Sequence, residues 1–332
     1  MLAAPEIDPA SPLLFVINAA SGSEDGEAKR QLIKTALATT GRSGDLRLCS
    51  SDGLSRIAEQ AAAEALATRT AVVAVGGDGT INTVAQAAHA AGCAMGVVPQ
   101  GTFNYFARTH GIPGDAAEAV RLLFEAKPLP VQVAAINERV FLVNASLGLY
   151  PDLLEDREAY KARFGRNRLV AFGAGAATLL RAQRRLRLHI DEGGGSRELR
   201  TLTLFVGNNR LQLAQLGVQR PAGGKRESGA GRITAVVLRP IGTLAMLRLM
   251  WHGAMGTLGE AESIERFEFS HMTVKPARLK HRQGVKVAFD GEVTWMRPPL
   301  DFRVLDKPLF LMKAGRAIDL DRPFPDPGAD RE

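Results

Sequence analysis

Cysteine is scarce in this chain. Cys49 and Cys93 are the only two in 332 residues, too few for a disulfide framework and without the spacing of a metal site. Both stand among apolar or small residues and are expected as core thiols. No apolar run approaches the length of a membrane span, and no basic-then-apolar signal lies between Met1 and Pro12. The expected location is therefore cytoplasmic. Aromatic residues make up only 6% of the chain. They are little interleaved with the basic residues, and no nucleic-acid-binding module is recognisable, so nucleic acid is disfavoured as a partner. No internal repeat stands out. No Gly-Lys-Ser/Thr follows the glycine-rich turn near residue 77, which excludes a Walker loop. Asn82 holds the place of a third glycine, which excludes a Rossmann fingerprint.

What is present is ample apolar material and an excess of positive charge. An apolar fraction of 45% supports real cores, and the length suffices for two domains. The formal net charge of +7 favours anionic partners: nucleotides, nucleic acid or an anionic membrane face.

The stretch Val72-Val73-Ala74-Val75-Gly76-Gly77-Asp78-Gly79-Thr80-Ile81-Asn82 organises the rest. Its β-branched start reads as a strand buried on both faces, as in a parallel sheet. The glycines let the backbone turn sharply and approach a ligand. Thr80 is placed to cap the following helix, whose apolar residues are Ile81, Val84, Ala85 and Ala88. Such a corner offers N–H groups and a positive dipole end to phosphate. Asp78 would repel phosphate unless a divalent cation lies between them, directly or through water. The alternative is a plain strand–turn–helix corner with Asp as a turn residue.

Taken in order, Leu13 to Asn18 reads as a first strand, with a small polar loop after it containing Ser21 and Gly22. A helix to about Thr39 follows. Then come a strand at Leu46 to Cys49 ending near Ser50, an Ala-rich helix over 54–67, and a short strand at Met95 to Val98. Alternating strands and helices argue for a parallel sheet with ligands at the strands' carboxyl ends. The fourth strand runs into Pro99-Gln100-Gly101-Thr102-Phe103-Asn104, where Gly101 permits a tight turn. Thr102 and Asn104 can meet phosphate or ribose hydroxyls, or cap a helix. Ala116 to Glu125 reads as an amphipathic helix. Past Pro128 to Pro130 the period changes to that of many short strands, at 131–134, 140–144, 186–190, 201–206, 233–238, 264–269, 272–275 and 285–289. That pattern predicts a second, mostly antiparallel domain.

Two further stretches carry chemistry. Residues 157–187 concentrate nine arginines and lysines among Leu169, Val170, Phe172, Leu179 and Leu180. A basic amphipathic stretch suits a membrane surface, and equally a solvated helix face. Asp290-Gly291-Glu292 follows an apolar strand. It reads as a common hairpin turn, or, paired with a phosphate loop, as a candidate general base.

Together these pieces resemble the diacylglycerol kinase catalytic family, which includes bacterial lipid kinases and sphingosine and ceramide kinases. The resemblance rests on four stretches: Asn18 with Ser21-Gly22, Gly76-Gly77-Asp78-Gly79-Thr80, Gly101-Thr102-x-Asn104-x-x-Ala107-Arg108, and Asp290-Gly291-Glu292. It implies an α/β nucleotide-binding domain over 1–129 with a parallel sheet, also like that of NAD kinases. The segment 302–322 would pack back on that domain. A β-rich lipid-substrate domain would occupy 130–301.

The resemblance also implies ATP as phosphate donor. Asn18, Ser21, Gly22, Ser50, Gly76, Gly77, Asp78, Gly79, Thr80, Asn82, Gly101, Thr102 and Asn104 would hold the nucleotide. Mg²⁺ would be organised by Asp78 through water, with Glu292, Asp290 and Asp78 as the catalytic carboxylates. The chain departs from the family pattern in three places. Tyr105 and Thr83 stand where acidic residues are usual. Glu227-Ser228-Gly229 replaces an acidic metal-binding stretch, with Arg220, Lys225, Arg226 and Arg232 nearby as substitute cations.

The resulting reading is an ATP- and Mg²⁺-dependent lipid kinase acting on a hydroxyl of diacylglycerol or a related lipid in phospholipid metabolism. It would be held peripherally on a membrane through residues 157–187. The alternatives are a kinase of a soluble acceptor such as NAD and a catalytically silent nucleotide or lipid sensor.

Overall fold

The structure is a computed structural model that describes residues 3–19, 26–152, 154, 186–192, 195–208, 231–240, 264–277 and 284–315. Ser21, Gly22, the basic stretch except Arg187, and the 220–230 loop lie outside the described residues. The chain divides into two units, one of residues 1–133 and 306–332, the other of residues 134–305.

The first unit alternates strand and helix: β1 (Leu13–Asn18), α1 (Gly26–Thr40), β2 (Gly44–Cys49), α2 (Leu54–Ala67), β3 (Ala71–Gly76), α3 (Asp78–Ala91), β4 (Ala94–Pro99), α4 (Tyr105–Thr109), α5 (Ala116–Glu125) and β5 (Lys127–Val131). The late strand β18 (Leu309–Lys313) completes a sheet of order β2-β1-β3-β4-β18-β5. β2, β1, β3, β4 and β18 run parallel, and β5 closes the edge antiparallel to β18. Every residue of β1, β3 and β4 is buried, as their uninterrupted apolar runs require when helices cover both faces. α1 packs beside α5 and α2 beside α3, giving the two helix pairs that do the covering.

Pro128 and Pro130 lie in edge strand β5, where a missing N–H costs a ladder bond only on one side. Cys49 and Cys93 are buried free thiols, and burial pushes Cys93 up to about 11.

The second unit is a β-sandwich. One sheet has the order β10 (Ser196–Thr201), β9 (Leu186–Asp191), β14 (His271–Pro276), β17 (Leu300–Val304), β6 (Ala134–Ile136), β7 (Arg139–Phe141). The other has the order β13 (Ile264–Phe269), β12 (Ile233–Leu238), β11 (Thr203–Gly207), β8 (Asn144–Gly148), β15 (Val285–Phe289), β16 (Glu292–Met296). Among the described residues these strands pair antiparallel throughout. Leu188, Ile190, Met272, Val274 and Phe302 of the first sheet share a core with Leu147, Leu204, Val206, Ala235 and Val287 of the second. The alternating burial of β9 and β12 is the period-2 signal that marks one face as core.

Candidate active site

Because β1 to β4 are parallel, the loops after Asn18, Cys49, Gly76 and Pro99 all leave the same edge of the first sheet. The residues named from the sequence meet there in pairs. The Asn18 side chain donates to the Thr80 hydroxyl at 3.0 Å, both being buried. The Gln100 N–H donates to the Gly76 carbonyl at 2.8 Å, tying the ends of β3 and β4 together.

The glycines serve close approach rather than unusual torsions. Neither Gly76 nor Gly77 has positive φ. A Cβ on Gly101 would lie 2.8 Å from the Gly77 Cα, and one on Gly76 would lie 2.6 Å from Thr80. The two loops touch backbone to backbone, and a side chain at Gly76 or Gly101 has no room.

The helix start differs from the sequence expectation. Gly77 is the N-cap of α3 and Asp78 its first residue. Thr80 is therefore not the cap: it is the third residue of the helix, with its hydroxyl turned to Asn18. The N–H groups of Asp78, Gly79 and Thr80 form the first turn and have no intrahelical acceptor. Asn82, two residues further along the helix, is buried. Thr83 returns its hydroxyl to the Gly79 carbonyl at 3.0 Å. Thr102 caps nothing and is exposed. The N-cap of α4 is Asn104, in the left-handed region at φ 49°. Both polar atoms of its side chain go to Gly101, accepting from its N–H and donating to its carbonyl, each at 2.9 Å. Asn104 thus shapes the loop through both polar atoms of its side chain. Ser50 is exposed at the end of β2, ahead of a short 3₁₀ turn, Ser51–Gly53.

Asp78 is the electrostatic centre of this edge. Burial pushes its carboxyl above the ordinary 3.8, against the pull of the Phe106, Tyr105 and Asn104 N–H groups and of Arg108. Its Oδ1 is buried without a hydrogen-bond partner. An orphaned carboxylate oxygen beside a helix N-terminus fits Mg²⁺, which takes one or two carboxylates and fills its shell with phosphate oxygens and water. Among the described residues no cluster of three or more His, Cys, Asp or Glu could hold a metal by itself.

In the second unit, Asp290 and Gly291 form a two-residue turn between β15 and β16, with φ 45° and 91°. This is the Asp-Gly hairpin that the sequence allowed. It separates the two carboxylates. Asp290 is only 6% exposed and accepts from three successive N–H groups, Leu142 at 2.7 Å, Val143 at 2.8 Å and Asn144 at 3.0 Å. Its own N–H donates to the Asn144 carbonyl at 3.0 Å. Asp290 is a brace. Glu292 is exposed, opens β16, and has its carboxyl pushed up by the protein around it, with Arg139 pulling the other way.

Two features escaped the sequence reading. Lys29 is 1% exposed and donates to the Asn18 carbonyl at 3.2 Å. The signal for it was a lysine standing in the apolar stripe Gly26, Ile33, Ala36, Leu37 of α1. The three N–H groups that hold Asp290 left no trace in side-chain identity.

Comparison with known proteins follows the same division. The diacylglycerol kinase catalytic domain matches residues 12–136. A Klebsiella pneumoniae protein named "Probable lipid kinase YegS-like" is 39% identical over 98 residues, 28% of this chain and 33% of that protein. A Serratia proteamaculans protein of the same name is 30% identical over 164 residues, 47% of this chain and 52% of that protein. The matches thus span about a third to a half of these relatives. A crystal structure of a diacylglycerol kinase from Bacillus anthracis covers 92% of this chain and 97% of its own, with a TM-score of 0.62 at 19% identity, which extends the likeness of fold across both units. Residues 12–136 of this chain are thus similar to the diacylglycerol kinase catalytic domain, and the likeness of fold runs on through the second unit.

Proposed function

We propose that the protein is an ATP- and Mg²⁺-dependent lipid kinase that phosphorylates a hydroxyl of diacylglycerol or a related lipid. The observation that carries the phosphoryl-transfer part is the Asp78 carboxylate, buried with one orphaned oxygen at a corner where two glycine loops touch. The lipid part is supported by the curated relatives, which are named as lipid kinases, and by the solved diacylglycerol kinase of the same fold.

In this reading the first-turn N–H groups of α3 bind the nucleotide's phosphates. Asp78 would hold Mg²⁺, which neutralises charge on the phosphates when bound. Glu292 takes the proton from the lipid hydroxyl as that oxygen bonds to the γ-phosphorus, and the β–γ bridging oxygen leaves with its electron pair on ADP. A carboxyl raised above its ordinary value is, once ionised, a stronger base than a free glutamate. Asp290 holds the turn on which Glu292 sits. We also propose that residues 157–187 give the protein its peripheral contact with an anionic membrane.

The test is transfer of labelled γ-phosphate to dispersed diacylglycerol, monoacylglycerol, ceramide and sphingosine, with NAD as a soluble acceptor. Labelled lipid is expected. Label on NAD alone would replace the proposal with a soluble-acceptor kinase, and ATP binding without any transfer would replace it with a sensor.

A further inference from the structure

α1 carries Arg30 and Lys34 one turn apart, and the connection from α1 to β2 carries Arg42. With Leu37 and the first residues of β2 they line an open cleft of ≈ 460 Å³. β2 is an edge strand, so the cleft lies at the margin of the first sheet. It meets β2 at its amino end, whereas the glycine loops leave the sheet at the carboxyl ends of the strands. The cleft is therefore separate from the candidate nucleotide site.

The charges in this cleft do not balance. Asp45 lies in it, but Arg47 already holds that carboxylate at 2.7 Å. Glu27 stands 3.5 Å from one terminal nitrogen of Arg30 and is 60% exposed, so water screens the pair. The Arg30 Nε has no hydrogen-bond partner in the protein, so Glu27 does not hold this guanidinium as a fork. Arg42 is fixed in advance: it donates to the Pro9 carbonyl and stands 5.0 Å from the Phe124 ring centroid. Two guanidinium groups and an ammonium match a doubly charged phosphate. Arginine forks donate to such oxygens in pairs.

We propose that this cleft binds a phosphate monoester. The ester can be the headgroup of a lipid or a free molecule, and the experiment separates the two. Full-length protein is titrated calorimetrically with sn-glycerol 3-phosphate. In parallel it is floated with phosphatidylcholine vesicles containing or lacking phosphatidic acid. The test variant is Arg30→Gln/Lys34→Gln. The control is Arg56→Gln/Arg121→Gln, which removes the same charge from exposed positions of the same unit.

The test variant is expected to bind at least about tenfold more weakly than the control, the scale of losing charge-assisted phosphate contacts. Loss in both assays, or in one, confirms the site and names the source. Equal binding by the two variants, or no binding by the natural protein in either assay, overturns it. Should the double variant fold poorly, Lys34→Glu tests the same charge at an exposed position without disturbing Arg30.

Discussion

If Asp290 is a brace and Glu292 the base, replacing each by its amide must have opposite signatures. In Asp290→Asn, Asn tolerates the left-handed turn position. Its remaining oxygen can keep the bonds from Val143 and Asn144, which both go to Oδ1. The new NH₂ then faces the Leu142 N–H at the position where Oδ2 accepts at 2.7 Å. One bond to a charged acceptor is lost, and a buried donor is left facing another donor. The cost is about 2–3 kcal/mol. In a unit of this size that lowers the midpoint by about 4–12 °C. Glu292 is exposed and accepts no such set of bonds, so Glu292→Gln is expected to melt within about 0.5 kcal/mol of the natural protein. Differential scanning calorimetry of the full chain without nucleotide reads both values. An Asp290→Asn protein that melts like the natural one, yet transfers no phosphate, would refute the brace and return Asp290 to the chemistry.

Three other outcomes follow from the same geometry. Glu292→Gln is expected to lower kcat by about 10²–10⁴. In the natural protein kcat/KM should fall on the acid side at a pH above the 4.5 of an ordinary glutamate, since only the ionised carboxylate accepts a proton, and that limb should vanish in the variant. Asp78 has a raised carboxyl value, so its ionised form costs the native state stability at neutral pH and costs nothing below the ordinary 3.8. Asp78→Asn is therefore expected to melt no lower than the natural protein at neutral pH, with the gap narrowing as pH falls, and to lose the midpoint rise given by Mg²⁺-ATP; a clear drop at neutral pH would contradict the sign. Gly101→Ala places a methyl 2.8 Å from the Gly77 Cα, forcing the loops apart, and is expected to cost about 1–3 kcal/mol of stability and to weaken ATP binding in a nucleotide titration.

Much of this architecture was legible because burial writes itself into sequence. Leu13 to Asn18 and Val72 to Val75 are continuous apolar runs, and both are strands buried throughout. The two-residue Asp290-Gly291 turn was readable from the chemistry of positive φ. What could not be read was direction. The sequence places Thr80, Thr102 and Asn104 in the right loops. Only coordinates show that the Thr80 hydroxyl turns inward to Asn18, that Asn104 clamps Gly101, and that Thr102 caps nothing. The unlike fates of Asp290 and Glu292 were hidden for a related reason. The groups that separate them are the backbone N–H groups of residues 142–144, which every non-proline residue carries.

The most direct test of the central claim is phosphoryl transfer from Mg²⁺-ATP to dispersed diacylglycerol and its relatives, measured side by side for the natural protein and Glu292→Gln, with ATP affinity recorded for both. Phosphorylated lipid that falls by about 10²-fold or more in the variant, at unchanged ATP affinity, is the expected result. Equal lipid phosphorylation by the two proteins would contradict the assignment of Glu292. No lipid product from the natural protein, with ATP bound, would contradict the proposed function itself.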